Sequence, residues 1–363
     1  MQATQEKNAP LFETDQVSAL DAISKAQFIA FAPYIFQASV LLRDKGILKL
    51  VDDSKQNGKT LDEITEVTAM SRYAVRVLLE AGLGIGLVYR KEGKYFLSKT
   101  GHFFINNQMS VVNTDFMRDV CYEGAKSLEA SLADGKPKGL RELGDWTTIY
   151  QGLSLLQEPA KTSWFNFDHY YSDNAFPEAL PIVFASKPKK IMDIGANTGK
   201  FTLACLDYDK DVEIGLVDLQ VQLNVARKNI EDAGYGNRAT YFPTDMLDAA
   251  SQLPLGYDVI WMSQFLDCFA DDEIVAILNK CHEALDDNGR VVINETFWDV
   301  QRFPASAFSL QMTSLYFTTM ANGNSQMYDS EVFLALIDKA DFKVVKQTDE
   351  IGLAHTILEL QKK

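Results

Sequence analysis

Apolar residues change their spacing near Lys190. Before it they recur every three or four positions, as helices require; after it, short apolar runs alternate with helical stretches. From Ala19 to Leu50 the helical pattern breaks near Pro33 and Gly46, which predicts two helices, one apolar on several sides. A helix apolar all round is buried in a large core or against a second subunit. Thr60 and Glu63 then form a capping box. Ser71 opens a helix over Arg72–Ala81 with Val75, Leu78 and Leu79 on one face. Leu87–Tyr89 and Lys94–Leu97 alternate like two strands about a turn at Lys91–Gly93. Helices followed by a two-stranded wing make a winged-helix layout, and residues 108 to about 180 read as mainly helical.

Beyond Lys190 the pattern predicts strands at Lys190–Ile194, Glu213–Val217, Ala239–Phe242, Tyr257–Met262 and Arg290–Asn294. Helices fall at Val221–Ala233, Asp271–Leu285, Phe308–Met320 and Ser330–Lys339, before two last strands at Lys343–Gln347 and His355–Leu360. This is the rhythm of an α/β doubly wound sheet. Only a short connection separates the last two strands, and a parallel crossover needs a dozen or more residues. If they pair, they pair antiparallel. The expected organisation is a flexible tail over 1–16, a winged-helix domain over 17–107, a helical connector over 108–180 and an α/β domain over 181–363.

Charge and cysteine usage narrow the partners. The formal net charge of -15 makes nucleic acid a poor partner for the molecule as a whole. Arg72 and Arg76 on the second helix of the winged-helix layout stand beside Glu80, so a structural or dimerising role is preferred to DNA binding. The four cysteines show no C-x-x-C spacing and read as reduced core thiols, which with the polar N-terminus implies a cytoplasmic protein without a membrane segment.

Candidate chemistry gathers at strand ends. The first α/β strand closes on Asp193, and Gly195-Ala196-Asn197-Thr198-Gly199 leads into a helix. Such a loop offers bare backbone N–H groups to a ligand, although G-x-N-x-G fits the dinucleotide fingerprint poorly. Asp218 ends the next strand about 20 residues on, where an acidic residue can accept ribose hydroxyls. Asp245 ends the third, able to accept an exocyclic amine, with Met246 beside it for an adenine face. Together they define one crevice, and an adenosine without a phosphate-binding fingerprint points to S-adenosylmethionine. Asp271 and Asp272 at a helix start read as N-terminal helix residues, so no metal is expected.

These residues, with Thr60–Ile64, Arg76–Leu79, Gly86–Val88, Leu97–Gly101 and Ala340–Phe342, give the chain a resemblance over about residues 20 to 361. It resembles the S-adenosylmethionine-dependent small-molecule O-methyltransferases with an N-terminal winged-helix dimerisation domain. The resemblance implies the class I methyltransferase sheet, mostly parallel with its last strand antiparallel, in a homodimer acting on a small-molecule acceptor. It implies a cofactor site of Asp193, Gly195, Asn197, Gly199, Asp218, Leu219, Asp245, Met246 and Ser263. The acceptor is expected to be aromatic or polyketide-like, in a pocket of Trp164, Phe167, His169, Tyr170, Trp298, Phe317 and Met320.

One position departs from the family. Its catalytic His is replaced by Asp267 in Leu266-Asp267-Cys268-Phe269, and an Asp, with an unperturbed pKa of about 3.9, is a weak base unless burial raises it. Of the acidic residues that orient that His, one matches Glu295, while the other position falls near Gln326. Three mechanisms follow: Asp267 as base, transfer by proximity with His169, Tyr170 or water as proton acceptor, or altered or lost chemistry. A regulator that senses the cofactor is the competing class.

Overall fold

The computed structural model describes Phe12, Thr14, Asp15 and residues 17–363; most of the expected tail over 1–16 lies outside them. Two compact units, Phe12–Asp119 and Val120–Lys363, meet inside the segment read as the connector.

The first unit starts with three helices rather than two: Ala19–Ala30, Ala32–Asp44 and Ile47–Asp53. Pro33 sits in the first turn of the second, where a missing N–H costs nothing, so the break falls at Phe31, two residues before the proline. The Leu61–Thr68 helix carries the expected capping box, Thr60 N–H donating to Glu63 at 2.7 Å. The Arg72 helix runs on to Ile85, past Gly82, which lets it approach the side chains of Leu42 and Val88. Strands β1 (Val88–Lys91) and β2 (Lys94–Leu97) pair antiparallel. Leu42, Ile47, Leu48, Val75, Leu79 and Tyr95 fill the core beneath them. In contrast, the Ala19–Ala30 helix buries no residue. Among the described residues no single helix is long and apolar enough to cross a membrane, although the first two, bent by 74° at their break, pass that test as a pair.

The second unit is built on seven strands: β3 (Lys190–Ile194), β4 (Glu213–Asp218), β5 (Ala239–Pro243), β6 (Val259–Ser263), β7 (Arg290–Glu295), β8 (Phe342–Ile351) and β9 (His355–Lys362). Their order is β5-β4-β3-β6-β7-β9-β8. The first five run parallel, and β9 enters antiparallel between β7 and β8. This is the class I methyltransferase sheet that the short final connection and the resemblance imply. Its central strands β3, β4, β6 and β7 are buried along most of their length because helices cover both faces, giving one core around Met192, Ile260, Ile277 and Ile293 and another around Ile191, Leu216, Ala226 and Trp261. The strand order reverses between β3 and β6, and an open α/β sheet binds ligands at such a point, beyond its carboxyl ends.

Candidate active site

Gly195 and Gly199 adopt φ of +75° and +80°, and Asn197 one of +48°. A Cβ on Gly195 would lie 2.4 Å from Phe265 Cδ2, so both backbone conformation and packing require glycine. The turn aims the backbone N–H of Asn197 at Asp218 Oδ2 (2.8 Å), while Leu219 N–H donates to Oδ1 (2.6 Å). Burial pushes the Asp218 carboxyl up to about 6 against those two hydrogen bonds. Asp193 lies beneath, buried, taking a hydrogen bond from Thr202 Oγ1 at 2.6 Å; burial and the nearby Asp218 charge push it up to about 7. Asp193 therefore supports the loop through Thr202 at the start of the Lys200–Tyr208 helix. Asp245 is exposed and receives Leu247 N–H at 2.9 Å. Met246 is buried in the main core, with little side-chain surface left for an adenine.

These groups fit S-adenosylmethionine. Each Asp218 oxygen takes one backbone N–H and keeps lone-pair capacity for a ribose hydroxyl, and Asn197 Oδ1 is buried without a partner. At the end of β6, Ser263 Oγ accepts Asn294 Nδ2 at 2.9 Å, so its hydroxyl hydrogen is still to be placed.

The chain then turns sharply: Gln264 has φ +47°, and its buried amide oxygen has no partner. Glu295 at the end of β7 fixes this turn, its Oε1 accepting the N–H groups of Phe265 (3.0 Å) and Leu266 (2.9 Å). Asn322 Nδ2 ties down the carbonyl of Cys268 at 2.5 Å, and Tyr328 donates to that of Phe269 at 2.8 Å. Asp267 is held between these tethers, only 4 % exposed. Burial pushes its carboxyl up to about 7, against a hydrogen bond from the Cys268 thiol at 3.4 Å and with the charge of Asp168 adding to the rise. Glu295 Oε2 is buried without a partner, and burial together with the Asp267 charge drives that carboxyl well above its ordinary range.

The Ala160–Ser172 helix supplies the aromatic wall. Trp164 is buried and donates its indole N–H to Tyr316 Oη at 2.8 Å; Phe167, His169 and Tyr170 are half-buried. His169 Nδ1 stands 3.7 Å from Asp168 on the same helix and 3.6 Å from Asp173 just past its end, so it faces carboxylates. Trp298 is half-buried and Phe317 buried. Met320 corrects the expected pocket. It is fully buried in a π-helical turn, Phe317–Ala321, packed where Gly124 and Gly139 leave room for its sulfur, and so backs the wall instead of lining it. Gln326 is exposed and does not join the buried carboxyl pair. Asp271 and Asp272 open the Asp271–Ala284 helix, as read from the sequence.

The sequence reading missed Asp168, whose Oδ2 accepts Asn197 Nδ2 at 3.1 Å, and Tyr150, whose buried hydroxyl meets the Cys268 side chain. Asp168 lies within the aromatic run Trp164–Tyr171, whose spacing carries no signal for a carboxylate. Tyr150 carried no signal, because only the tertiary fold brings it within electrostatic reach of Asp267 and Cys268.

The sequence matches the family described as Dimerisation2-like domain over residues 24–95 and the O-methyltransferase domain over residues 178–343. It is 23% identical over 321 residues to the L-tyrosine C(3)-methyltransferase of Streptomyces lavendulae, spanning 87% of this chain and 85% of that protein. To the demethylspheroidene O-methyltransferase of Cereibacter sphaeroides it is 26% identical over 251 residues, 69% of this chain and 64% of the relative. The apo structure of the S-adenosylmethionine-dependent methyltransferase SibL superposes with a TM-score of 0.71 at 20% identity, covering 94% of this chain and 99% of SibL. The chain thus pairs a Dimerisation2-like domain with an O-methyltransferase domain on a class I methyltransferase sheet, and the relatives it matches are small-molecule methyltransferases.

Proposed function

We propose that the protein methylates a hydroxyl oxygen of a small aromatic acceptor, with Asp267 as general base. The observation that carries this reading is the state of Asp267, buried almost completely and with a carboxyl pushed up to about 7. General-base catalysis works best when the base titrates near the working pH, and burial brings an Asp there in the place of the family His. Bound in the crevice, S-adenosylmethionine supplies a methyl group on a positively charged sulfur. The residues of this chain do the rest. Asp218 and the Gly195–Gly199 loop hold the nucleoside, Trp164, Phe167, Tyr170, Trp298 and Phe317 orient the ring, and Asp267 receives the hydroxyl proton. Glu295 holds the backbone of the Asp267 turn.

Asp267→Asn tests the assignment. The expected result is a loss in kcat of about a hundredfold to ten-thousandfold with adenosylhomocysteine affinity kept. Full activity would move proton acceptance to water, Tyr170 or His169.

A second reading is favoured by the tyrosine methyltransferase, which its name places at carbon. Loss of a phenolic proton to Asp267 raises electron density at both the oxygen and the adjacent ring carbon, so the same base serves either acceptor atom. Labelled methyl transfer followed by NMR of the product separates the two.

The dimerisation2-like match supports a homodimer. Its proposed contact is the Ala19–Ala30 helix, where Leu20, Ile23 and Ile29 are exposed.

A further inference from the structure

One carboxylate beside the cofactor loop lacks a close hydrogen-bond donor. Asp173 binds Lys200 Nζ at 2.5 Å, Asp193 takes the Thr202 hydroxyl, and Asp218 takes two backbone N–H groups. Asp168 has only the neutral Asn197 amide at 3.1 Å and His169 Nδ1 at 3.7 Å, shared with Asp173. A quarter of its side chain remains accessible (25%), so a ligand lying along the loop can reach it. At the same amide, Asn197 Oδ1 is a buried acceptor without a donor. Two acceptors, one negative, thus stand together and call for a group with several N–H donors and a positive charge. An ammonium has three donors and no acceptor. A carboxylate would be repelled, and a sulfonium has no hydrogen to give.

We propose that Asp168, together with Asn197 Oδ1, receives the α-ammonium group at the methionine end of the cofactor. This rests on the cofactor crevice assigned above. Asp168 then does two things: it binds the ammonium, and it ties the Ala160–Ser172 helix to the cofactor loop through Asn197.

Asp168→Asn separates these two tasks. It retains an oxygen for Asn197 Nδ2 and removes the charge. Binding is measured by calorimetry with adenosylhomocysteine, which carries the ammonium, and with methylthioadenosine, which lacks the whole amino-acid end. Adenosylhomocysteine should weaken by about tenfold or more, as expected for a hydrogen bond between charged groups, while methylthioadenosine changes by less than about twofold. Unchanged adenosylhomocysteine affinity overturns the proposal. Equal weakening of both ligands also overturns it, since Asp168 would then act only by shaping the loop. If the unaltered protein bound neither ligand, the crevice assignment itself would fall, and the proposal with it. Asp168→Ser, read against the same pair of ligands, gives the same test should the amide disturb the helix.

Discussion

Glu295 Oε1 accepts the backbone N–H of Leu266 at 2.9 Å and that of Phe265 at 3.0 Å, while its second oxygen stays buried and unpaired. Glu295 is thus both a structural acceptor and the acidic neighbour of Asp267. Two buried carboxyls this close do not both ionise at neutral pH. Asp267, at about 7, loses its proton first, and its charge holds the Glu295 proton in place. Glu295→Gln imitates the protonated form, so kcat should stay within about threefold of the unaltered protein. Glu295→Ala strands two backbone donors and should cost about 2–4 kcal/mol of unfolding free energy in urea. A collapse of activity in Glu295→Gln would mean that Glu295 must carry charge.

The base must be ionised to accept a proton. The rate constant kcat/KM should therefore rise with pH through about 7 and level off above it, and the limb should disappear in Asp267→Asn. A profile flat from pH 6 to 9 would show that no group in this range controls the step.

What was legible in the sequence, and what was not, follows from where each constraint lies. Strand β3 begins and ends where its apolar run does, because a strand buried on both faces is written as such a run. The antiparallel end of the sheet followed from chain length alone. The Arg72 helix ran four residues past its expected end because Gly82 trades helix propensity for close contact with Leu42 and Val88, a tertiary gain invisible to local pattern. Met320 was misplaced for the same reason: the glycines that receive its sulfur, Gly124 and Gly139, lie far away in the chain. Asp168 is an ordinary acidic residue within an aromatic helix, and only the fold sets it beside Asn197.

Asp193 holds its proton more tightly folded than unfolded, so its burial favours the folded state increasingly as pH falls from about 7 towards 4. Thr202 stabilises the ionised form through its hydroxyl. Thr202→Val should accordingly cost about 1–3 kcal/mol at pH 8 and less at pH 5.5, where Asp193 is already protonated. Urea unfolding at both values gives the comparison; a cost independent of pH would indicate lost packing rather than a lost hydrogen bond to charge.

His355 opens β9 fully buried, and burial pushes its pKa down to about 4 against a backbone hydrogen bond with Ile351. Here the sign reverses. The unfolded chain takes up a proton near the ordinary value of about 6.5 while the folded chain does not, so stability falls as pH drops from 6.5 towards 4. Between pH 7 and pH 5 this one residue should remove about 2 kcal/mol. The raised carboxyls work the other way, so the effect is read as the difference between the unaltered protein and His355→Gln at each pH. A difference that does not change with pH would mean that the imidazole is solvated in the folded protein.

The Ala19–Ala30 helix buries none of its residues, although Leu20 (78% exposed) and Ile29 (70%) are strongly apolar. An exposed apolar face of this kind on a folded unit is an interaction surface or an aggregation hazard, and the dimerisation2-like match favours the first. A symmetric contact places each of these side chains in the interface twice, so one substitution counts double. Ile23→Glu with Ile29→Glu should shift the protein from dimer to monomer in sedimentation equilibrium. Circular dichroism should be unchanged, because neither side chain belongs to the core around Leu42 and Val75. A dimer that survives both charges would place the contact elsewhere. Loss of the fold together with the dimer would mean that the first unit is not stable without its partner.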